Sequence, residues 1–275
     1  MSTFPKRITW TAAGIPLLAG CTIPLDSPAP TTTYITITAA PSTETLASAA
    51  PPPAAAPHLE EIVTATEAET GVQLGIAYGD QVAGSTRGGP AWSTAKVPVA
   101  IAALRANPEL SSVMWPAITA SDNGAAQQLW DNLGGGEPAA EATNAVLREG
   151  GDTVTMTQPQ VVREGFTAFG QTHWELIDQA RFAAQLAQLP GAEEVVTAMG
   201  NIAPDQRYGL GTIEGAVFKG GWGPELDGRY LVRQFGTIPT ADGVTGVAII
   251  AIGPDIGAAQ QALTALTEKL QGEMG

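Results

Sequence analysis

The stretch Trp92-Ser93-Thr94-Ala95-Lys96, continuing as Val97-Pro98-Val99-Ala100-Ile101-Ala102-Ala103-Leu104, decides how the rest of the chain is read. The apolar run from Val97 to Leu104 predicts a helix with little polar face. Ser93 falls at its start, where unpaired backbone N–H groups and the positive end of the helix dipole favour developing negative charge. Lys96, three residues on, shares the helix face of Ser93. A buried lysine can lose its proton near neutral pH and then take the proton of a serine hydroxyl. The Ser93 amide can also donate to an oxyanion. By itself Ser-x-x-Lys is common, and a capped helix explains it equally well.

Two further short stretches stand out on either side of a mainly helical region. Ser121-Asp122-Asn123 precedes a helix-like segment from Gly124 to Leu133, which a plain N-cap would also explain. Lys219-Gly220-Gly221 follows the apolar Ala216-Val217-Phe218. Two glycines on a strand let a substrate backbone lie alongside, and a strand running into a turn is the plainer account. Other templates fail. His58 and His173 are the only histidines, so a His/Cys zinc site is poorly supplied. Neither a Gly-x-Ser-x-Gly elbow nor a Gly-x-x-x-x-Gly-Lys-[Ser/Thr] phosphate loop occurs. No metal and no organic cofactor is expected.

The flanking pattern gives the architecture. Leu59, Ile62 and Val63 predict a helix over 58–69, weakened at Thr66 by its hydroxyl. Strands follow from Val72 to Tyr78 and from Gln81 to Ser85, around a Gly79-Asp80 turn. From Trp92 to about Leu189 the pattern is helical. Strands return at Ala216–Phe218, Arg229–Phe235 and Val244–Ile252, and Ala259, Leu263, Leu266 and Leu270 mark a closing helix. Helix, strands, helical block, strands, helix predicts an α/β plus all-α fold. In it an antiparallel sheet shared by the two terminal pieces is flanked by the terminal helices, with an inserted helical lobe. The expected division is a sheet lobe of 58–90 and 207–275 and a helical lobe of 91–206.

Taken together, "STAKVPVAIAAL", "ITASDNGAAQQLWDNLGG" and "FKGGWG" resemble the motif neighbourhoods of class A β-lactamases and the penicillin-binding DD-peptidases, in their order and structural settings. The resemblance spans residues 58–275 and implies the β-lactamase/DD-peptidase-like fold and a set of roles. Ser93 would be acylated by a β-lactam or a peptidoglycan-like amide, with Lys96 as its general base. Ser121 would relay a proton to the leaving nitrogen, and Asn123 would hold a substrate amide. Lys219 would face the substrate carboxylate, with Gly221 allowing close approach. The amides of Ser93 and Trp222 would form the oxyanion hole. Arg229 is either a second carboxylate partner or a solvent-facing strand residue.

The chain also departs from that pattern. Gly220 stands where the family carries Thr or Ser, which removes a hydroxyl from the carboxylate site. The family's deacylating Glu-x-x-Leu-Asn is missing from Met156 to Gly165; Glu164 is the only carboxylate there, and Phe166-Thr167 follow it. The interval from Ser93 to Ser121 is shorter than is usual. Trp222 either narrows the pocket or packs as filler. Acylation is equipped and deacylation is not, so a slow hydrolase and a catalytically degenerate binding module are both consistent with the residues.

The N-terminus sets the location. Lys6 and Arg7 precede a mostly apolar segment from Ile8 to Gly20, too short to span a bilayer and suited to a signal peptide over residues 1–20. It ends in Leu18-Ala19-Gly20-Cys21, which resembles the bacterial lipobox and implies lipidation, palmitate included, at Cys21. This is the only cysteine, so no intramolecular disulfide can form. Residues 21–57, rich in Thr, Pro and Ala, read as an extended tether. At about 3 Å per residue it reaches up to ~100 Å. The expected place is the outer face of the bacterial cytoplasmic membrane. A net charge of −14 with only 13 Lys and Arg argues against nucleic-acid partners, while oligomeric state leaves no mark on the sequence.

Overall fold

The computed structural model describes residues 57–274, so the signal peptide, Cys21 and nearly all of the tether lie outside the described residues. Helix α1 (Leu59–Thr70) buries Leu59, Ile62, Val63 and Thr66 on one stripe. Thr66 fits there because its hydroxyl donates to Ile62 O at 2.7 Å, leaving its methyl for packing. Strands β1 (Gln73–Tyr78) and β2 (Gln81–Gly84) form the expected hairpin.

The helical region begins after a short strand, β3 (Gly88–Pro90), with a 3₁₀ turn over Trp92–Ala95 that leads into α2 (Lys96–Ala106). Every residue of α2 from Lys96 to Leu104 is buried, as its unbroken apolar run requires. Around it stand α3 (Ser111–Thr119), α4 (Asn123–Asn132) and α5 (Gly136–Glu149). A long loop then leads to β4 (His173–Glu175), α6 (Leu176–Gln185) and α7 (Glu193–Met199). The chain closes with β5 (Val217–Pro224), β6 (Tyr230–Thr240), β7 (Gly243–Gly253) and α8 (Ile256–Met274).

The main sheet is antiparallel in the order β2-β1-β7-β6-β5, so the N-terminal hairpin docks on the C-terminal strand β7 in the register Gln73↔Ile252 to Tyr78↔Val247. Val247 to Ala251 are fully buried because both faces of β7 are covered. Gly246 lies against Ala180 of α6 and Gly253 against Ala259 of α8. Residues 246 and 253 differ in parity along the strand, which puts α6 and α8 on opposite faces.

Three details differ from the sequence expectation. Strand β5 runs on to Pro224, so Lys219-Gly220-Gly221 lies within it, paired to β6, and not after it. Strands β3 and β4 pair with each other, yet three-residue strands such as Gly-Gly-Pro carry no periodic signal. Helix α6, assigned from the sequence to the helical lobe, is instead the second cover of the sheet.

Candidate active site

Ser93 sits in a turn that is held from several sides. Trp92 has φ +48°, a backbone conformation that a bulky residue adopts only when its surroundings impose it. Those surroundings are explicit. Ala91 N donates to Thr172 O at 2.7 Å, and the Thr94 hydroxyl donates to Ala91 O. Gln179 Nε2 donates to Thr94 Oγ1 at 3.0 Å, and Gln179 Oε1 in turn accepts from Arg233 Nη2 at 2.7 Å. Arg233 is fully buried and also donates to Gly89 O, Pro90 O and Trp174 O, so one guanidinium clamps the strand leading into the Ser93 turn. Burial pulls its pKa down to about 9.

Behind this turn two amines converge on one hydroxyl. Lys96, one helical turn from Ser93, donates from Nζ to Ser121 O, to Ser121 Oγ at 3.3 Å and to Asn123 Oδ1 at 2.8 Å. Lys219, fully buried, donates to the same Ser121 Oγ at 3.0 Å and to Gly220 O at 2.8 Å. Ser121 reaches this position because it takes φ +59° between the end of α3 and the start of α4. Asp122 follows as the N-cap of α4, its Oδ1 accepting from Ala125 N at 2.8 Å. Burial lowers the Lys96 pKa from 10.5 to about 7, with Asp122 opposing the shift. Burial, and then the neighbouring Lys96 charge, hold Lys219 well below its ordinary value. Two buried ammonium groups this close repel each other, so near neutral pH the cluster readily gives up a proton.

Strand β5 closes against the Ser93 turn. A methyl group on Gly221 would stand 2.7 Å from Ser93 N and 2.9 Å from Ala91 O, and one on Gly223 would enter the Trp92 ring. Only bare backbone fits, and it brings the segment carrying Trp222 beside the Ser93 amide. Gly220 differs. A methyl there meets Tyr208 Oη at 3.5 Å and Gln234 Cγ at 3.7 Å, which is ordinary contact.

In front of Ser93 is an open cleft of about 630 Å³, lined also by Trp92, Asn123, Gln127, Glu164, Phe166, Trp222 and Tyr230 among others. Neither Trp222 nor the loop carrying Phe166 fills it. Trp92 and Phe166 meet edge to face at 5.0 Å. The Arg163 guanidinium lies over both rings, 5.8 and 4.9 Å from their centroids, while its Nη1 donates to Pro224 O at 2.7 Å. Gln171 staples the loop, accepting from Arg163 N at 2.6 Å and donating to the carbonyls of Arg163, Phe166 and Thr167.

No protein-family model and no curated protein matches this sequence. Solved structures do match. The β-lactamase of Sphaerobacter thermophilus is 20% identical and aligns over 78% of this chain and 96% of its own, with a TM-score of 0.60. The TLA-1 extended-spectrum β-lactamase, 11% identical, aligns over 79% and 99% with a TM-score of 0.63. A class A β-lactamase from Bacteroides cellulosilyticus, also 11% identical, aligns over 78% and 98% with a TM-score of 0.60. The fold is that of the class A β-lactamases.

Within this class A β-lactamase fold, the sequence-predicted residues divide into three groups. Ser93, Asn123 and Trp222 line the cleft, whereas Lys96, Ser121 and Lys219 form the cluster behind it. Gly221 lies against the Ser93 and Thr94 amides. Arg229 is a correction: it sits in the β5–β6 turn, where Asp227 holds its Nε at 2.8 Å and Gln73 its Nη1 at 2.6 Å, so it faces no carboxylate site. Lys219 is buried, with its amine on Ser121 Oγ and Gly220 O.

Glu164, the only carboxylate of the Met156–Gly165 stretch, is exposed and on the cleft wall, and among the described residues it joins no hydrogen bond or ion pair. Phe166, Gln127 and Tyr230 were not singled out. Tyr230 was within reach, because it opposes Pro224 across the hairpin that also carries Trp222. The Ser93 hydroxyl itself joins no hydrogen bond among the described residues. All three Lys96 ammonium protons already have acceptors, so acting as a base requires Lys96 to release one of them.

Proposed function

We propose that this chain is a membrane-tethered, extracytoplasmic serine hydrolase that opens a β-lactam or a peptidoglycan-like amide through an acyl-Ser93 intermediate, and that this intermediate breaks down slowly. The observation that carries the reading is the pair of buried amines on Ser121, one helical turn from a serine that lines an open cleft. Neutral Lys96 takes the Ser93 proton as Oγ bonds to the substrate carbonyl carbon. The oxyanion is met by the Ser93 and Trp222 amides, each such donor contributing a few kcal/mol. As the C–N bond breaks, the leaving nitrogen takes the Ser121 proton. Ser121 is then reprotonated by the Lys96 ammonium, with Lys219 at its side throughout. Asn123 and Gln127, which line the cleft, would hold a substrate amide.

Slow deacylation follows from the loop. A water attacking the ester needs a base fixed in place, and Glu164 is solvated and held by no partner. Tethering rests on Lys6, Arg7 and the Leu18-Ala19-Gly20-Cys21 segment, with the lipid on Cys21 anchoring the domain outside the cytoplasmic membrane.

Intact-protein mass spectrometry after incubation with a fluorescent penicillin, beside Ser93→Ala, tests the proposal. A long-lived adduct on wild type alone is the expected result. Turnover without an adduct, abolished by Ser93→Ala, would keep the nucleophile and overturn slow deacylation. One observation favours a second reading, a non-catalytic module binding cell-wall or envelope components: the Ser93 hydroxyl stands without a hydrogen bond to Lys96. Complete silence toward both a penicillin and a cell-wall peptide ester would make that alternative the better reading.

A further inference from the structure

A charge taken fully out of water is tolerated only where its donors find acceptors, and a partner carboxylate is the usual one. Arg233 has none. It is fully buried, and its Nη protons go to four neutral oxygens at 2.7–3.1 Å: the carbonyls of Gly89, Pro90 and Trp174, and Gln179 Oε1. Its Nε has no acceptor among the described residues. The reaction sequence proposed above makes no use of this cation.

From Arg233 the hydrogen bonds run in one direction. The guanidinium donates to Gln179 Oε1 at 2.7 Å, Gln179 Nε2 donates to Thr94 Oγ1 at 3.0 Å, and the Thr94 hydroxyl donates to Ala91 O. All three side chains are fully buried. In such a series each donor polarises the next, so the guanidinium charge strengthens the last bond of the chain. Ala91 O also accepts from Thr94 N at 3.1 Å. Two donors on one carbonyl fix the plane of the Ala91–Trp92 peptide. That plane sets the φ of Trp92, which at +48° is unfavourable for a bulky residue. Trp92 in turn aims the Ser93 amide. Across the β5–β6 ladder, Arg233 stands opposite Gly221, whose bare backbone presses on that same amide.

Resting on the acyl-Ser93 reading above, we infer that Arg233 and Gln179 are positioning residues for acylation: through Thr94 and Ala91 they hold Trp92 in its strained conformation and keep the Ser93 amide aimed at the oxyanion. Neither touches the substrate. Cutting the chain lets the turn relax, so the oxyanion loses a well-aimed donor while the cleft and the Lys96 cluster stay as they are. The loss falls on the bond-making step, and substrate binding and the protonation of Lys96 are spared.

Two variants cut the chain at different links. Thr94→Val removes its last hydroxyl at nearly unchanged volume, whereas Gln179→Glu keeps the bond from Arg233 and loses the donation to Thr94. Adduct formation on the full-length protein, followed over a range of fluorescent penicillin concentrations, separates initial binding from the acylation step. Each variant is expected to acylate roughly 10–100-fold more slowly at saturation, with initial binding unchanged. Thr94→Ser, which restores the hydroxyl, should recover the rate. The double variant should be no slower than the slower single one, because both cut the same chain. Wild-type acylation rates in both single variants, or losses that multiply in the double variant, overturn this inference and leave the hydrolase reading intact. A shift in the pH midpoint of acylation in Thr94→Val would move the effect to Lys96 and overturn it as well. If wild type reacts at Ser93 with neither the penicillin nor a p-nitrophenyl ester, the hydrolase reading fails and takes this inference with it.

Discussion

On one side of the Ser93 cleft, Lys96 and Lys219 are enclosed and bound to a shared hydroxyl, while Arg233 and Gln179 fix the nucleophile turn through buried hydrogen bonds. On the other side, the loop from Gln158 to Ala168 leaves Val161 54% and Val162 69% exposed and carries Glu164 with no partner among the described residues. The first wall is over-determined, because moving any one group strands others as buried and unsatisfied polar atoms. The second is attached chiefly through Gln171 and Arg163. On the acyl-Ser93 reading proposed above, the first wall would serve formation of the acyl-enzyme and the second its removal.

Replacing the base should break the contrast most severely. Lys96→Met is expected to slow Ser93 acylation by roughly 10²–10⁴-fold, the usual contribution of a positioned general base, as read by adduct formation over time. A loss below tenfold would remove Lys96 from the chemistry.

The pH dependence follows next in size. With the Lys96 pKa lowered to about 7, acylation should fall about tenfold per pH unit below pH 7 as the amine protonates, and level off above it. Stability carries the same signature. The folded-state pKa lies below the ordinary 10.5, so between about pH 7 and 10 the unfolded chain binds more protons at this site. Stability from Lys96 therefore rises with pH through that window and is flat below pH 7, and the depressed Lys219 adds in the same direction. Urea denaturation at pH 7 and pH 9 should give the higher midpoint at pH 9.

Neighbouring glycines sharpen the comparison at smaller scale. Gly221→Ala forces a methyl group against the Ser93 amide and should cost about 1–3 kcal/mol of stability together with most of the acylation rate. Gly220→Ala, one residue earlier, meets only ordinary contacts and should cost clearly less than Gly221→Ala in the same assay. Equal effects from both would mean that strand β5 does not press on the nucleophile turn. Smallest of all is Val162→Ser on the loose wall, expected to shift stability by under about 0.5 kcal/mol in the same denaturation assay.

Much of the fold could be read before any coordinates, for identifiable reasons. The unbroken apolar run after Lys96, the stripe Ala259-Leu263-Leu266-Leu270 and the long apolar strand at Val247–Ala251 are patterns that burial alone produces. Pairing of β3 with β4 was not legible, since its stability comes from Arg233 reaching across to Gly89, Pro90 and Trp174. At the site, three short motifs drew attention to Ser93, Lys96, Ser121 and Lys219. The fate of each cation was hidden, however, because it depends on neighbours. Arg229 is captured by an aspartate two residues before it, and Arg163 by two rings and a carbonyl. The placement of Glu164 on the cleft wall is likewise a property of loop path, which composition does not encode.

The antiparallel pairing of β1 with β7 has a consequence for how the chain acquires this shape. Gln73 must find Ile252, so the centre of the sheet cannot close until almost the whole domain is free to fold. The helices α2 to α5 need only local contacts and can assemble earlier, while the β1–β2 hairpin waits with an open edge. Folding should therefore be limited by a late, long-range closure. Truncation within β7 should yield aggregation-prone protein rather than a smaller stable fold.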